Sequence, residues 1–201
     1  MILRGLYAIT PECSDSAQLL DKTERALQGG IALLQYRSKA RWESRLTQAQ
    51  QLVSLARRYG VPLIINDDVE LALRVGADGV HLGRDDRDLV AARARLPGKL
   101  LGASCYDQLE RARNAVDAGA DYIAFGSVFP STTKPGAVRA PLSLFGAARS
   151  FGVPLCAIGG ITADNAPQLL HSGADLLAVL ADLFDAPDIS ERARQYAKTF
   201  R

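Results

Sequence analysis

Near the middle of the chain lies the stretch Phe125-Gly126-Ser127-Val128-Phe129-Pro130-Ser131-Thr132-Thr133-Lys134-Pro135-Gly136. It continues an apolar run that begins at Tyr122 and ends in a turn with consecutive hydroxyl groups and a lysine. Such a pattern is typical of phosphate binding in α/β enzymes. Hydroxyl and backbone N–H groups at the carboxyl end of a strand donate hydrogen bonds, and Lys134 adds a mobile positive charge. The alternative is an ordinary Ser/Thr-rich connecting turn, and this stretch alone favours neither.

On both sides of this stretch, short apolar runs alternate with segments of helical periodicity about eight times. Residues 42–59 show the helical pattern, and residues 61–65 form an apolar run typical of a buried strand. Polar residues follow nearly every predicted strand, which favours a closed barrel with one shared mouth over a doubly wound sheet. We therefore predict a single (β/α)8 TIM-barrel domain over residues 1–201.

A triplet that recurs three times in the sequence supports this prediction. The triplets Gly76-Ala77-Asp78, Gly119-Ala120-Asp121 and Gly173-Ala174-Asp175 each lie between a predicted helix and a predicted strand. Glycine suits the end of a helix, where a positive φ is needed. We expect the triplets to lie at the stable lower face of the barrel, away from the site.

Composition argues against several classes of protein, among them nucleic-acid-binding, membrane-spanning and disulfide-bonded proteins. The net charge of +2 is too small to indicate a nucleic-acid-binding surface. The start of the chain lacks a signal-like apolar region, and no apolar run is long enough to span a membrane. Cys13, Cys105 and Cys156 are far apart and odd in number, which argues against disulfides or a zinc site. We expect a cytoplasmic protein without nucleic-acid or membrane partners, and a homo-oligomer stays open.

The predicted strand ends carry charges that need a ligand. They are Gln35, Arg37, Lys39, Asn66, Asp67, Asp68, Arg84, Asp85, Asp86, Ser104, Ser131 to Lys134, and Gly159-Gly160. The cations would repel one another without an anion, and the two carboxylate pairs form a hard-oxygen site that suits Mg²⁺. A diphosphate bridged by Mg²⁺ reconciles these charges, and the glycine pair offers a second anion site.

Simpler interpretations exist for each residue taken singly. Each aspartate pair could cap the helix that follows it, and Arg37 and Lys39 could be solvated surface residues. His81 lies in an apolar strand, where a packed, hydrogen-bonded core histidine is expected, and His171 is expected at the surface. Only the occurrence of all these residues at one rim favours the functional interpretation.

Five ordered motifs surround these positions. They are Gln35-Tyr36-Arg37-Ser38-Lys39, Asn66-Asp67-Asp68, residues 76–83, Phe129-Pro130-Ser131-Thr132-Thr133-Lys134, and residues 157–161. Together they closely resemble the thiamine phosphate synthase family, from Leu6 to about Phe184. The resemblance implies a (β/α)8 transferase with two small-molecule substrates. It joins the diphosphate ester of 4-amino-5-hydroxymethyl-2-methylpyrimidine to a thiazole phosphate, or to the carboxylated form of that thiazole, and releases pyrophosphate.

The resemblance also implies roles for individual positions. The pyrimidine diphosphate would bind to Gln35, Tyr36, Arg37, Ser38, Lys39, Asn66 and Lys134. Asp67 and Asp86 would be the Mg²⁺ ligands, and Ser104 would contact the pyrimidine. The thiazole phosphate would lie against Ser131, Thr132, Thr133, Gly160, Leu180 and Ala181. Arg37, Lys39, Lys134 and Ser104 would act in catalysis, by a dissociative route through a pyrimidine methylene cation.

The sequence departs from the family pattern at three places, one of them a pair of residues. Ser131 replaces the usual Thr and keeps the hydroxyl, and Arg84 replaces a common Gln and adds a cation. Leu180-Ala181 replaces an Ile-Ser pair that usually binds the thiazole phosphate, so one hydroxyl is lost. The thiazole-phosphate side is therefore where this chain differs most from the family.

Two alternative functions also fit a phosphate-binding barrel. A thiazole tautomerase uses a similar barrel but carries a histidine where this chain has Ser127, which cannot transfer protons at neutral pH. It would not need the metal carboxylates or the diphosphate clamp, which are present here. A non-catalytic phosphate-ligand sensor is the alternative outside enzymology.

Overall fold

A computed structural model describes residues 3–83, 89–130, 136 and 138–200. The strands are β1 Gly5–Ile9, β2 Leu33–Tyr36, β3 Leu63–Asn66, β4 Gly79–Leu82, β5 Leu100–Tyr106, β6 Tyr122–Gly126, β7 Leu155–Ile158 and β8 Leu176–Val179. The helices are α1 Ser16–Gln28, α2 Trp42–Arg58, α3 Val69–Val75, α4 Leu89–Arg95, α5 Leu109–Asp117, α6 Ser143–Ala148, α7 Ala166–His171, α8 Ala181–Phe184 and α9 Ile189–Thr199. A short 3₁₀ turn, Arg149–Phe151, follows α6.

The strands close into a parallel barrel in sequence order, and β8 pairs with β1 through Gly5 and Leu176. Every neighbouring pair is parallel, so all carboxyl ends open at one end of the barrel, which we call the mouth. The predicted (β/α)8 fold is therefore confirmed. The helices end or begin at local signals: Gly76, for example, ends α3 in the left-handed conformation with φ of 69°.

Alternation along the strands divides the apolar residues into two layers. One cluster fills the barrel interior and includes Tyr7, Ile64, Tyr122 and Leu176. The other cluster packs the outer faces of the strands against the helices. Successive side chains of a strand point alternately into the barrel and toward the helices. Whether a residue occupies an odd or an even position of its strand, its strand parity, therefore decides whether its side chain faces the barrel axis.

Two features of the elements were not predicted from the sequence. Ser104 was predicted to lie at a strand end, but β5 continues past it to Tyr106. Its pairing with β6 shifts register between Ser104 and Tyr106, and Tyr106 has a positive φ of 56°. The strand thus continues past an irregularity that the sequence does not reveal. The C-terminal helical region is split into α8 and α9, and Asp188 caps the second helix.

The Gly-Ala-Asp triplets do lie at the lower face, opposite the mouth. Each aspartate accepts a hydrogen bond from the backbone N–H of the first or second residue of the preceding strand in the barrel. Asp78 bonds to Leu63 at 2.8 Å, Asp121 to Leu101 at 2.7 Å and Asp175 to Leu155 at 3.0 Å. The repeated triplet therefore joins strands in pairs at the end remote from the site.

The three cysteines are free thiols, with Cys105 and Cys156 buried and Cys13 half-buried. Across the described residues, no helix is both long and apolar enough to cross a membrane.

Candidate active site

Four predicted site residues lie at the carboxyl ends of different strands. Gln35 is the next-to-last residue of β2, Asn66 ends β3, and Ser104 lies near the end of β5. Gly160 follows the end of β7. By strand parity Gln35, Asn66 and Ser104 belong to the inward-facing set that contains Ile64 and Tyr122, so these three side chains point into the barrel axis.

The segment after β2 is held by the end of β1. The backbone N–H of Arg37 donates to Thr10 Oγ1 at 3.1 Å, and Thr10 itself is fully buried. Arg37 Nη1 lies 3.8 Å from Glu12 Oε1, and the backbone N–H of Lys39 donates to Glu12 Oε2 at 3.1 Å. The Lys39 side chain is exposed. The β1 exit thus contacts the Arg37 guanidinium and holds the backbone at Arg37 and Lys39.

Sequence reasoning missed Thr10 and Glu12. A signal was present, because Thr10-Pro11-Glu12 follows an apolar strand as the other polar exits do. A lone glutamate after a proline has no motif of its own, and its partners Arg37 and Lys39 lie 25 and 27 positions away.

Two predicted residues of the β2 exit are not brought to the barrel axis. Tyr36 faces the helix layer, where it is buried and its hydroxyl donates to Gln48 Oε1 in α2 at 2.7 Å. Ser38 Oγ accepts the backbone N–H of Ala40 at 3.1 Å and shapes the turn before α2. The alternation of β2 that turns Gln35 inward turns Tyr36 outward.

The aspartates after β3 have different roles. Asp68 caps α3, because its Oδ1 accepts the Leu71 N–H at 2.8 Å, and its other oxygen pairs with Arg45. The capping interpretation is thus right for Asp68. Asp67 instead has a positive φ of 59°, which interrupts the alternation of the strand, and its Oδ2 accepts from Asn66 Nδ2 at 2.5 Å. The Asp67 carboxylate and the Asn66 amide oxygen are hard oxygen ligands at the mouth, and this ligand type fits Mg²⁺.

Ser104 is joined to His81 on the neighbouring strand. Ser104 Oγ lies 2.9 Å from His81 Nε2, and His81 Nδ1 lies 3.1 Å from the Tyr122 hydroxyl. The Tyr122 hydroxyl lies 2.8 Å from that of Tyr7, which accepts from Gln35 Nε2 at 2.6 Å. His81 is packed and hydrogen-bonded, as expected. Burial raises the pKa of both phenols, so both stay protonated at neutral pH.

Gly160 joins the β7 exit to the central loop. Its φ is 63°, and an added Cβ would lie 2.2 Å from the Pro130 carbonyl oxygen, so only glycine fits there. The base of the loop is closed, because the Ser127 N–H donates to Val138 O and Arg139 Nη2 donates to Val128 O at 2.9 Å. Pro130, the last described residue before this gap, therefore lies directly over the β7 exit.

At the β8 exit, Leu180 precedes the four-residue helix α8, which begins at Ala181. The next residue, Asp182, accepts the Tyr196 hydroxyl at 2.7 Å and pairs with Arg192 Nη1 at 2.6 Å. The pKa of Tyr196 is raised, mainly by burial. The pKa of Arg192 is also raised, mainly by its hydrogen bond to Asp182. α9 thereby holds α8 against the end of β8.

The other predicted residues lie outside the described residues. These are Arg84, Asp85, Asp86, Ser131, Thr132, Thr133 and Lys134. Both segments are bounded by described residues at the mouth. Gly83 follows β4, and its carbonyl accepts from Arg111 Nη2 at 3.1 Å. Among the described residues no group of three or more His, Cys, Asp or Glu side chains is placed to hold a metal.

Chemically, the described mouth combines two cationic side chains, a hard carboxylate and buried neutral hydrogen-bonding groups. Arg37 and Lys39 suit an anionic group, Asp67 suits a hard cation, and Ser104 suits a polar organic group. Burial raises the pKa of Cys105 to about 12 and that of Cys156 still further, so neither thiol is an activated nucleophile. The arrangement supports binding and charge stabilisation.

Comparison with known proteins gives a consistent result. The family model described as thiamine monophosphate synthase matches residues 6–183. The chain is 58% identical to a protein of Aromatoleum aromaticum named thiamine-phosphate synthase, covering 98% of this chain and 97% of that protein. A protein of the same name from an Azoarcus species is 57% identical, with 98% of each chain covered.

A solved structure is similar to this barrel over almost the whole length of both chains. It is described as a thiamine phosphate pyrophosphorylase from Pyrococcus furiosus, with a TM-score of 0.86 and 33% sequence identity. The match covers 98% of this chain and 95% of that chain.

Proposed function

Because the chain belongs to the thiamine monophosphate synthase family and has the transferase activity of a thiamine-phosphate synthase, we propose that its mouth residues divide between two phosphorylated substrates. One substrate is the aminopyrimidine diphosphate, and the other is the thiazole phosphate. The observation that carries this division is the closed parallel barrel. It directs the exits of β2, β3, β5, β7 and β8 to one mouth.

The diphosphate side is formed by the exits of β2 and β3. Gln35, Arg37, Lys39 and Asn66 bind the diphosphate, together with Lys134 from the central loop. The contacts of Glu12 with Arg37 and with the Lys39 backbone support this role, because they hold the segment in place before substrate arrives. The pairing distance of 3.8 Å leaves Arg37 available to a stronger anion. Tyr36 packs behind this segment against α2, and Ser38, in the turn before α2, stays part of the proposed diphosphate side.

Mg²⁺ is the proposed metal, held by Asp67 and Asp86. When bound, it would neutralise part of the diphosphate charge. The φ of Asp67 supports this assignment, because it turns the residue out of the strand geometry and separates its role from that of the helix cap Asp68.

The thiazole phosphate side is formed by the exits of β6, β7 and β8. Ser131, Thr132, Thr133 and Gly160 bind its phosphate, and the backbone at Leu180 and Ala181 completes that side. The close packing of Gly160 under Pro130 supports a single pocket made from the central loop and the β7 exit. The two substrates then meet over Ser104, which contacts the pyrimidine.

The reaction is dissociative. Electron release from the amino group of the pyrimidine stabilises the methylene cation as the C–O bond to the diphosphate breaks. Arg37, Lys39 and Lys134 stabilise the negative charge that grows on the leaving diphosphate. The thiazole nitrogen then donates its electron pair to the cation and forms the new C–N bond. No covalent bond to the protein is needed, and the barrel supplies orientation and charge.

Steady-state kinetics with each substrate varied in turn test this division. Arg37→Ala and Lys134→Ala should lower the turnover number by about a hundredfold or more, because each removes a preorganised charge at a developing anion. Arg41→Ala is the matched control, since Arg41 is exposed and makes no side-chain cap at the start of α2. If either site variant keeps full turnover and changes only the Michaelis constant for the thiazole phosphate, its assignment to the diphosphate is wrong.

A further inference from the structure

A continuous chain of hydrogen bonds crosses the barrel interior from β2 to β5. It runs from Gln35 through Tyr7, Tyr122 and His81 to Ser104, with successive distances of 2.6, 2.8, 3.1 and 2.9 Å. Its members come from five strands, and the two phenols at its centre are fully buried. The chain therefore links two proposed pyrimidine-side residues, Gln35 and Ser104, which are far apart in the sequence.

The chain has a direction, because one end is a group that can only donate. Gln35 Nε2 donates to the Tyr7 oxygen, so the Tyr7 proton is directed to the Tyr122 oxygen. The Tyr122 proton is then directed to His81 Nδ1, which accepts it. The imidazole proton consequently lies on Nε2 and is donated to Ser104 Oγ. The Ser104 hydroxyl proton is left to point away from His81.

The packing maintains this order. The rings of His81 and Tyr122 stack with centroids 5.6 Å apart, and those of Tyr7 and Tyr122 meet edge to face at 5.8 Å. Gly102 on β5 makes room for them, because an added Cβ would lie 2.1 Å from Tyr122 Cζ and 2.6 Å from His81 Nδ1. Burial also keeps both phenols protonated, so each supplies one proton to the chain.

We propose that Tyr122, supported by Tyr7, is a positioning residue that acts through His81 to fix the Ser104 hydroxyl as a hydrogen-bond donor toward the pyrimidine substrate. This inference rests on the proposed function in one respect, namely that Ser104 contacts the pyrimidine. A donor at this point recognises an unprotonated ring nitrogen of the aminopyrimidine. Tyr7 and Tyr122 themselves act only through this chain, since both hydroxyls are buried beneath the mouth.

The first test locates the imidazole proton by NMR of the ring nitrogens. The chain has two histidines, and His171 is exposed, so His171→Gln leaves His81 as the only histidine signal. In that background we expect the proton on Nε2 of His81, and a mixture of tautomers after Tyr122→Phe. A proton on Nδ1 in the parent would overturn the direction of the chain. This readout does not depend on turnover, so it is independent of the proposed function.

The second test is a kinetic double-mutant cycle between Tyr122→Phe and Ser104→Ala. Tyr122→Phe alone should raise the Michaelis constant for the pyrimidine diphosphate roughly three- to tenfold, the effect of one misdirected hydrogen bond, and leave that for the thiazole phosphate unchanged. Tyr7→Phe should have a smaller effect in the same direction. Tyr59→Phe is the matched control, because its hydroxyl lies on the outer surface and bonds to Glu24.

In the Ser104→Ala background, Tyr122→Phe should have no further effect on the Michaelis constant. An equal effect in both backgrounds would show that Tyr122 does not act through Ser104 and would overturn the proposal. If Ser104→Ala itself leaves the pyrimidine Michaelis constant unchanged, the assignment of Ser104 to the pyrimidine fails instead, and the NMR result still decides the direction of the chain. Thermal unfolding of each variant separates these effects from loss of folded protein.

Discussion

Ala181, the first residue of α8, has no side-chain hydroxyl, whereas the family resemblance implies a serine on the proposed thiazole-phosphate side. The helix that begins with Ala181, α8, is held in place by side-chain contacts of the next residue. Asp182 is held by both Tyr196 and Arg192, so α8 keeps its position at the end of β8. A missing hydroxyl on a well-positioned backbone removes one hydrogen bond and leaves the rest of the pocket intact.

We therefore expect Ala181→Ser to lower the Michaelis constant for the thiazole phosphate by about three- to tenfold, the effect of one added hydrogen bond to a charged group. The Michaelis constant for the pyrimidine diphosphate and the turnover number should stay the same. Kinetics with each substrate varied in turn measure this. A change confined to the pyrimidine substrate would place Ala181 on the wrong side of the mouth.

At the scale of secondary-structure elements, the recurring device is the aspartate of each Gly-Ala-Asp triplet. Asp175 precedes β8 and accepts a hydrogen bond from the first residue of β7, Leu155. Arg149, on the 3₁₀ turn after α6, pairs with the same carboxylate at 2.8 Å and donates to the Gly173 carbonyl at 3.3 Å. One side chain thus joins two strands and a helical turn at the lower face.

Asp175→Ala should lower the free energy of unfolding by about 1–3 kcal/mol, because it leaves the Leu155 N–H without its carboxylate partner. The site lies at the opposite end of the barrel, so the Michaelis constants of the folded variant should not change. Urea unfolding and steady-state kinetics measure the two quantities.

Asp117→Ala is the control for this variant. Asp117 is exposed and ends α5, where a negative charge opposes the helix dipole, so its removal should be neutral or slightly stabilising. Equal destabilisation by the two substitutions would mean that the strand-joining role of Asp175 is wrong.

At the scale of the whole molecule, two buried cysteines report on the integrity of the barrel. Cys156 lies in the barrel interior and Cys105 in the layer between strands and helices. Burial raises the pKa of Cys105 to about 12, so this thiol stays protonated and unreactive in the folded state at neutral pH. Cys13 is half-buried near the end of β1.

Brief alkylation of the native protein should therefore modify Cys13 alone, whereas denaturant should expose all three thiols. Because the pKa of Cys105 is raised, moderate alkaline pH that leaves the fold intact should not speed its modification. Intact-mass measurement after quenching counts the modified thiols. Rapid native labelling of Cys105 or Cys156 would show that the barrel opens more readily than its packing implies.

Much of the fold could be predicted from local patterns. The alternation of apolar runs and helical periodicity indicates a barrel, because each strand and helix is specified by residues adjacent in the sequence. The triplets ending in Asp78, Asp121 and Asp175 were correctly predicted to lie at the lower face. Strand boundaries were less accurate at β5, where the continuation past Ser104 depends on pairing with β6.

The sequence by itself determined which residues follow each strand, and so which chemical groups are available at a shared mouth. Only the tertiary structure decided their partners. Glu12 meets Arg37 across 25 positions, and Tyr7 meets Tyr122 across 115, because barrel closure brings β1 beside β2 and opposite β6. Strand parity likewise turned Gln35 inward and Tyr36 toward α2. Barrel closure creates these contacts between residues that are distant in the sequence. They cannot be predicted from local patterns, because the residues next to one partner do not depend on the identity of the other.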